Sequence, residues 1–158
     1  MRRLPSSDWV AAYRRRAVAS REYFVAATSA QAVMEAIRRG LPRLRDDYAL
    51  TLQAGAGLVQ RYAQFDAVDV YARSVEAGEA PADCLKARAV ERGANLRIGL
   101  PYYRVSGFYG VRVAEGLPAV SNLQLYLDLY DHPLRGREQA EQIFKRLLRR
   151  ELQAAERG

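Results

Sequence analysis

The chain has 158 residues, a length that corresponds to one domain with a substantial hydrophobic core. Hydrophobic residues make up 49% and charged residues 27% of the chain, which excludes wholesale disorder and fibrous repeats. The 25 basic and 18 acidic residues give a net charge of +7, and this balance favours an anionic partner, nucleic acid first.

The sequence carries no sign of secretion or of membrane insertion. No apolar run approaches the roughly 20 residues that a bilayer span needs, and no apolar stretch of the signal-peptide type follows the basic N-terminus. The single cysteine, Cys84, cannot form an internal disulfide, which is typical of a reducing cytoplasm. We therefore predict a cytoplasmic protein without a membrane partner, in which Cys84 is a small buried hydrophobic group.

The predicted elements of the first half alternate between helices and strands. In chain order they are a helix over 8–17, a strand over 23–26, a helix over 30–39, a strand over 48–52, a helix over 53–59 and a strand over 67–72. Thr28 and Ser29 open the second helix, and Gly40 and Pro42 end it. Gly55 and Gly57 indicate close packing of the third helix. Each lowers helix stability by about 1 kcal/mol relative to alanine, so a close contact is the expected reason for a glycine there.

The second half continues the alternation. We predict a loop over 76–81, a helix over 83–91, a strand over 94–100, and a hairpin of strands over 108–114 and 117–120 around Glu115 and Gly116. The leucines of 123–129 alternate as in a strand, but Ser121 and Gln124 form a capping box, so we predict a buried helix. Apolar residues at helical spacing from Ala140 to Ala155 predict a long amphipathic C-terminal helix. The fold class is therefore α/β, a single domain with a mixed β-sheet flanked by helices.

Residues for catalysis or metal binding are sparse. One histidine, His132, and one cysteine do not make up a zinc site, and the glycines of 54–57 lack the Lys-Ser/Thr pair of a P-loop. Asp66, Asp69 and Asp128 are the best acidic candidates for a divalent-metal-dependent nucleic-acid-processing enzyme. The acidic-x-Lys triplet of restriction-type nucleases is missing, so we predict a non-catalytic protein without metal or cofactor and keep the enzyme as the alternative.

The arginines are the candidate contacts to DNA, because guanidinium groups donate several hydrogen bonds to phosphate oxygens. The candidate DNA-binding residues are Arg14, Arg15, Arg16, Arg38, Arg39, Arg146, Arg149 and Arg150. We expect contacts mainly to the phosphate backbone, which carry no base code by themselves. A solvated, salt-bridged surface and a basic face that docks an acidic protein are the alternative interpretations.

The second half also carries a pattern that resembles a known family. The pattern consists of Gly93-Ala94-Asn95-Leu96, Pro101-Tyr102, Phe108-Tyr109, Val120-Ser121-Asn122-Leu123-Gln124-Leu125-Tyr126-Leu127-Asp128-Leu129 and Arg135-Gly136-Arg137-Glu138. It is similar to AbiEi-type proteins, the antitoxins and transcriptional regulators of bacterial type IV toxin–antitoxin (abortive infection) systems.

The resemblance implies a DNA-binding repressor that counters a nucleotidyltransferase-like toxin encoded nearby. The family combines an N-terminal winged helix with a C-terminal α/β domain. Because eight residues precede the helix at Trp9, too few for a winged helix, we expect residues 1–158 to correspond to the C-terminal domain, either as a fragment or as a naturally short member of the family. The motif residues that we expect to be structural are Ser121, Gln124, Asp128, Arg135 and Arg137. Among them we expect Asp128 to pair with a nearby arginine, since a carboxylate in an apolar helix needs a partner.

Overall fold

A mixed β-sheet forms the centre of the protein, as a computed structural model describes it for residues 20–44, 46–59, 64–101, 103, 106–130, 132 and 136–158. Its strands are β1 (Ser20–Phe24), β2 (Tyr48–Thr51), β3 (Val68–Ala72), β4 (Arg88–Ala89), β5 (Leu96–Gly99), β6 (Arg112–Ala114) and β7 (Leu117–Ala119). Their order across the sheet is β4-β1-β5-β3-β2-β7-β6. The pairs β3–β5 and β2–β7 are parallel and the other neighbours are antiparallel. The helix predicted over 8–17 lies outside the described residues.

Helices cover the sheet on two sides. They are α1 (Ala30–Gly40), α2 (Leu52–Val59), α3 (Val75–Cys84), α4 (Asn122–Leu129), α5 (Gly136–Ile143), a π-helical segment (Phe144–Leu148) and α6 (Arg149–Arg157), with short 3-10 turns at Pro42–Leu44 and Ser106–Phe108. The segments from α5 to α6 follow one another directly and form a C-terminal helix of 22 residues. The predicted α/β class, mixed sheet and long C-terminal helix are confirmed. None of the described helices is long and apolar enough to cross a membrane.

Two hydrophobic cores lie on opposite faces of the sheet. On the first face, Val33 and Ile37 of α1 belong to one buried cluster with Val70 of β3. On the second face, Leu125 of α4 and Ile143 of α5 belong to another buried cluster. The alternation of side chains along each strand separates the two sets. Each fully buried aliphatic side chain contributes about 1.5–3 kcal/mol to the free energy of unfolding, so both layers stabilise the sheet.

The β6–β7 hairpin forms around the predicted two-residue turn, but its first strand begins at Arg112 instead of Phe108, which lies in a 3-10 turn. Glu115 and Gly116 have φ angles of 51° and 79°, and two consecutive positive φ angles define the type I′ turn that matches the twist of a hairpin. Ala114 and Leu117 are the last paired residues before the turn. Arg38 of α1 donates from Nε to the Glu115 carbonyl at 2.7 Å, which ties the hairpin to the first helix layer.

The predicted loop over 76–81 and helix over 83–91 are both wrong, because one helix, α3, spans Val75–Cys84. The Ser74 hydroxyl accepts a hydrogen bond from the Ala77 amide at 3.0 Å and caps this helix. Gly78 lies inside the helix, where a Cβ would lie 3.2 Å from Ile98 Cγ2. The glycine therefore permits a close approach of helix and sheet rather than marking a loop.

Smaller differences concern boundaries and burial. β1 covers Ser20–Phe24 instead of 23–26, and Leu52 begins α2 rather than ending a strand. Cys84 is exposed, so its prediction as a buried hydrophobic group is wrong: it is the last residue of α3. Ala155, expected on the apolar face of the C-terminal helix, is also exposed, and so the apolar contacts of this helix end before α6, which buries none of its residues.

The capping box at α4 is confirmed, since the Ser121 hydroxyl accepts a hydrogen bond from the Gln124 amide at 3.1 Å. We expect Ser121→Ala to lower the free energy of unfolding by about 1 kcal/mol, as for other N-cap serines. Chemical denaturation measures this change. Ser106→Ala is the matched control, because Ser106 lies in a short 3-10 turn and caps no α-helix. Equal effects of the two substitutions would contradict the capping role.

Candidate nucleic-acid interface and a buried polar row

The C-terminal helix presents a run of cations without an intervening acid. Lys145, Arg146, Arg149 and Arg150 are all exposed, and no acidic residue lies among them. Within the part of the chain that the structure describes, none of the four takes part in an ion pair or a hydrogen bond of its side chain. Their donors are therefore available to phosphate oxygens.

Packing on the opposite side of this helix directs the cations outward. Ile143 and Leu148 are buried, and the Phe144 ring lies 5.9 Å from the Tyr126 ring of α4. These contacts fix the rotation of the helix about its own axis. The basic side chains consequently project from the face that does not contact the core.

A polar contact holds the start of α6 against the sheet. Glu151 lies 3.5 Å from Arg112 Nη1 of β6 and accepts a hydrogen bond from the side-chain amide of Asn122 at the start of α4. Arg112 also donates to the Asn122 side-chain oxygen. This triad joins one strand and two helices directly beside Arg149 and Arg150, so the basic run sits on a supported part of the surface.

Arg38 and Arg39 of α1 have a different environment. Both interact with the Glu35 carboxylate: Arg39 Nε lies 3.0 Å from Oε1, and Arg38 Nη1 contacts Oε2. The hydrogen bond from Arg39 and the charge of Arg38 lower the pKa of Glu35. Their positive charge is thus partly neutralised, which favours the C-terminal helix over α1 as the candidate interface. Arg14, Arg15 and Arg16 lie outside the described residues.

The motif residue Asp128 connects α4 to the sheet. Its Oδ2 accepts a hydrogen bond from the Thr51 hydroxyl of β2 at 2.5 Å, and its Oδ1 accepts one from the Gln124 side-chain amide at 2.9 Å. A contact with Arg135 falls outside the described residues. The two described hydrogen bonds give the carboxylate the partners that burial against the sheet requires.

The junction between α4 and α5 is tightly packed. Arg137 donates from Nε to the Tyr130 carbonyl at 3.0 Å, and its guanidinium lies 3.8 Å from the centre of the Tyr130 ring. At Gly136 a Cβ would lie 2.2 Å from the Leu129 carbonyl oxygen. The backbone N–H of His132 donates to the same carbonyl. These contacts support a structural role for the described part of the motif.

A row of polar side chains crosses four adjacent strands. The register pairs Glu22 of β1 with Arg97 of β5, Arg97 with Asp69 of β3, and Asp69 with Thr51 of β2. Paired residues project from the same face of a sheet. Arg97 contacts both acids, with Nε 3.1 Å from Glu22 Oε1 and Nη1 3.6 Å from Asp69 Oδ1. Asp128 meets the row at Thr51, so a sheet and a helix share one polar network.

The row becomes progressively more buried toward Asp69. The side chains of Glu22 and Arg97 are 40% and 37% exposed, whereas that of Asp69 is 13% exposed. Burial raises the pKa of Asp69 to about 6, the nearby Arg97 opposes this shift, and the negative charges of Asp128 and Glu22 add to it. The protonation state of Asp69 therefore changes close to neutral pH.

The sequence-predicted acids separate into two groups. Asp69 and Asp128 lie close enough for their charges to interact, whereas Asp66 is exposed in the turn before β3. Among the described residues, no group of three or more His, Cys, Asp or Glu side chains is arranged to hold a metal ion.

Sequence reasoning missed Glu22, Arg97 and Thr51 as members of the row. A signal was present, because Asp69 and Arg97 are single charges of opposite sign inside otherwise apolar strands. Placing two such charges in apolar strands costs least free energy when the strands are neighbours and the charges form an ion pair.

Comparisons with family models, with curated proteins and with solved structures find no match to this chain. Function is therefore inferred from the residues themselves and from the motif resemblance.

Proposed function

We propose that the chain is a non-catalytic regulatory protein that binds the DNA phosphate backbone, acting as an antitoxin and transcriptional repressor of the AbiEi type. The observation that carries the proposal is the exposed run of Lys145, Arg146, Arg149 and Arg150 on the C-terminal helix, whose side chains have no partner among the described residues. Backbone binding by such a run is strong at low salt and independent of base sequence.

The placement of the four cations suits a polyanion better than a single small anion. Lys145 and Arg149 are four residues apart, as are Arg146 and Arg150, so each pair lies about one turn apart on the same side of the helix. Two adjacent pairs make a band of positive charge along the helix axis. A strand of successive phosphates matches such a band, because each guanidinium binds a phosphate with two parallel hydrogen bonds.

The motif from Ser121 to Arg137 supports the regulatory part of the proposal through its similarity to AbiEi-type proteins. Its described contacts organise the α4–α5 junction that carries the C-terminal helix. A nucleotidyltransferase-like toxin is the second partner that this similarity implies. We assign the basic run of the C-terminal helix to DNA, and we expect the toxin to contact another surface of the domain.

Fluorescence anisotropy with a labelled DNA duplex, titrated over a series of salt concentrations, tests the proposal. We expect the wild-type chain to bind with a steep linear dependence of log affinity on log salt. The triple variant Arg146/Arg149/Arg150→Gln should bind at least about tenfold more weakly at low salt, and its salt slope should fall by about 2 to 3, since each lost phosphate contact removes roughly 0.9.

A second triple variant, Arg43/Lys86/Arg92→Gln, removes the same charge from exposed positions elsewhere and serves as the control. It should retain most of the affinity, because it keeps the phosphate contacts of the C-terminal helix. It loses only the general electrostatic attraction, which is reduced equally in both variants. Absence of binding at low salt, or equal losses in the two variants, would overturn the proposal. Binding that is lost only in the first variant locates the interface on the C-terminal helix.

A further inference from the structure

A crevice opens at the carboxyl ends of the parallel strands β3 and β5. The chain leaves β3 toward α3, whose Ala82 belongs to the first core, and Leu100, the residue after β5, packs against the same core. The crevice therefore lies on the first face of the sheet, between α3 and the strand ends. Ligands of open α/β sheets bind outside the carboxyl ends of the strands.

The crevice has a volume of about 250 Å³ and mostly apolar walls, including Tyr23, Ile98 and Leu100. A cavity of about 150 Å³ already accommodates benzene, so this space suffices for a molecule the size of an amino acid. Gly78 forms part of the wall, and its missing side chain keeps α3 close to Ile98. The apolar walls favour a ligand with a hydrocarbon portion.

Two opposite charges line the same crevice without pairing. Arg21 comes from β1 and Glu79 from α3, and both side chains are exposed. In the described part of the chain neither residue takes part in an ion pair or a hydrogen bond of its side chain, with the other or with any third group. A guanidinium and a carboxylate that line one apolar crevice without pairing match a ligand that carries both charges itself.

We propose that this crevice binds a free amino acid with an apolar side chain. The ligand carboxylate lies against Arg21, its ammonium group against Glu79, and its hydrocarbon side chain against Ile98 and Leu100. The site is distinct from the basic run of the C-terminal helix and does not depend on DNA binding.

Isothermal titration calorimetry with L-leucine and L-phenylalanine tests the proposal on the full chain. We expect dissociation constants of about 0.1–1 mM, typical of a small ligand held by two exposed ion pairs and modest apolar contact. Leucinamide, which lacks the carboxylate, and 4-methylpentanoate, which lacks the amine, should each bind at least about tenfold more weakly, the equivalent of one lost charge-assisted contact.

The variants assign each charge of the ligand to its partner. Arg21→Gln should remove the preference for leucine over leucinamide, and Glu79→Gln should remove the preference for leucine over 4-methylpentanoate. Arg92→Gln and Glu91→Gln, exposed positions outside the crevice, should leave both preferences unchanged. No heat with either amino acid at about 10 mM, or preferences that survive both crevice substitutions, would overturn the proposal.

Discussion

Gly55→Val is expected to lower the free energy of unfolding by about 3 kcal/mol or more, at the upper end of the overpacking range. A Cβ at Gly55 would lie 2.7 Å from Leu125 Cδ2 and 2.9 Å from the Leu50 carbonyl oxygen. The leucine side chain can rotate, but the carbonyl belongs to the interior strand β2 and is fixed by its neighbours β3 and β7. α2 would therefore have to move away from the sheet, opening the second core.

Chemical denaturation followed by circular dichroism measures this loss. Gly40→Ala is the control from another helix, since a Cβ there would lie 3.7 Å from Leu85 Cδ2, an ordinary contact. That substitution should raise the free energy of unfolding by about 0.4–1 kcal/mol, because alanine reduces the freedom of the unfolded chain. A Gly55→Val protein as stable as wild type would show that α2 does not pack as closely as described.

Asp69→Asn is expected to raise the free energy of unfolding at pH 7 by about 2 to 3 kcal/mol, since each unit of pKa shift corresponds to about 1.36 kcal/mol. Burial raises the pKa of Asp69 from 3.8 to about 6, so the folded protein holds this proton more tightly than the unfolded chain does. The stabilisation from proton binding is complete below pH 3.8 and is lost as the pH rises through 6. Asparagine does not titrate, so the variant has a neutral side chain at position 69 at every pH and never buries a negative charge there.

The measurement is the free energy of unfolding of both proteins between pH 4 and pH 7.5. The difference should be small at pH 4 and grow to its full value above pH 6. Asp66→Asn, at an exposed aspartate three residues earlier, should show no comparable growth. If Asp69→Asn instead destabilises the protein at pH 7, the ion pair with Arg97 outweighs the cost of burying the charge.

The sequence patterns predicted elements wherever local signals agreed with tertiary packing. The apolar spacing and the Thr28-Ser29 pair located α1, whose N-cap is Ser29, and the capping box at Ser121 correctly overrode a strand-like alternation in α4. The same rules failed at α3, where Gly78 and Pro81 resemble loop residues. Gly78 is there because the helix contacts the sheet at that point, and a contact between residues far apart in sequence leaves no local trace.

The candidate sites were predictable to different degrees. Arg146, Arg149 and Arg150 followed from the helical period alone, since an apolar stripe leaves the remaining positions exposed. The polar row required strand order and register, because Glu22 and Thr51 lie on strands that are distant in sequence from β5. Neither the pairing of β3 with β5 nor its direction follows from the composition of the strands. The crevice at their carboxyl ends therefore could not be predicted from the sequence either.

The π-helical segment Phe144–Leu148 decides how the C-terminal helix tolerates a change of length. α5 buries Ala140 and Ile143, whereas α6 buries no residue. A wide turn holds one residue more than an α-helical turn for nearly the same rotation about the helix axis. Loss of one residue from this segment therefore restores a regular α-helix and leaves Arg149 and Arg150 facing their present direction, while α5 stays packed. The same loss inside α5 would turn every later residue by about 100°. A single codon can thus be removed at the wide turn in evolution without re-aiming the basic surface.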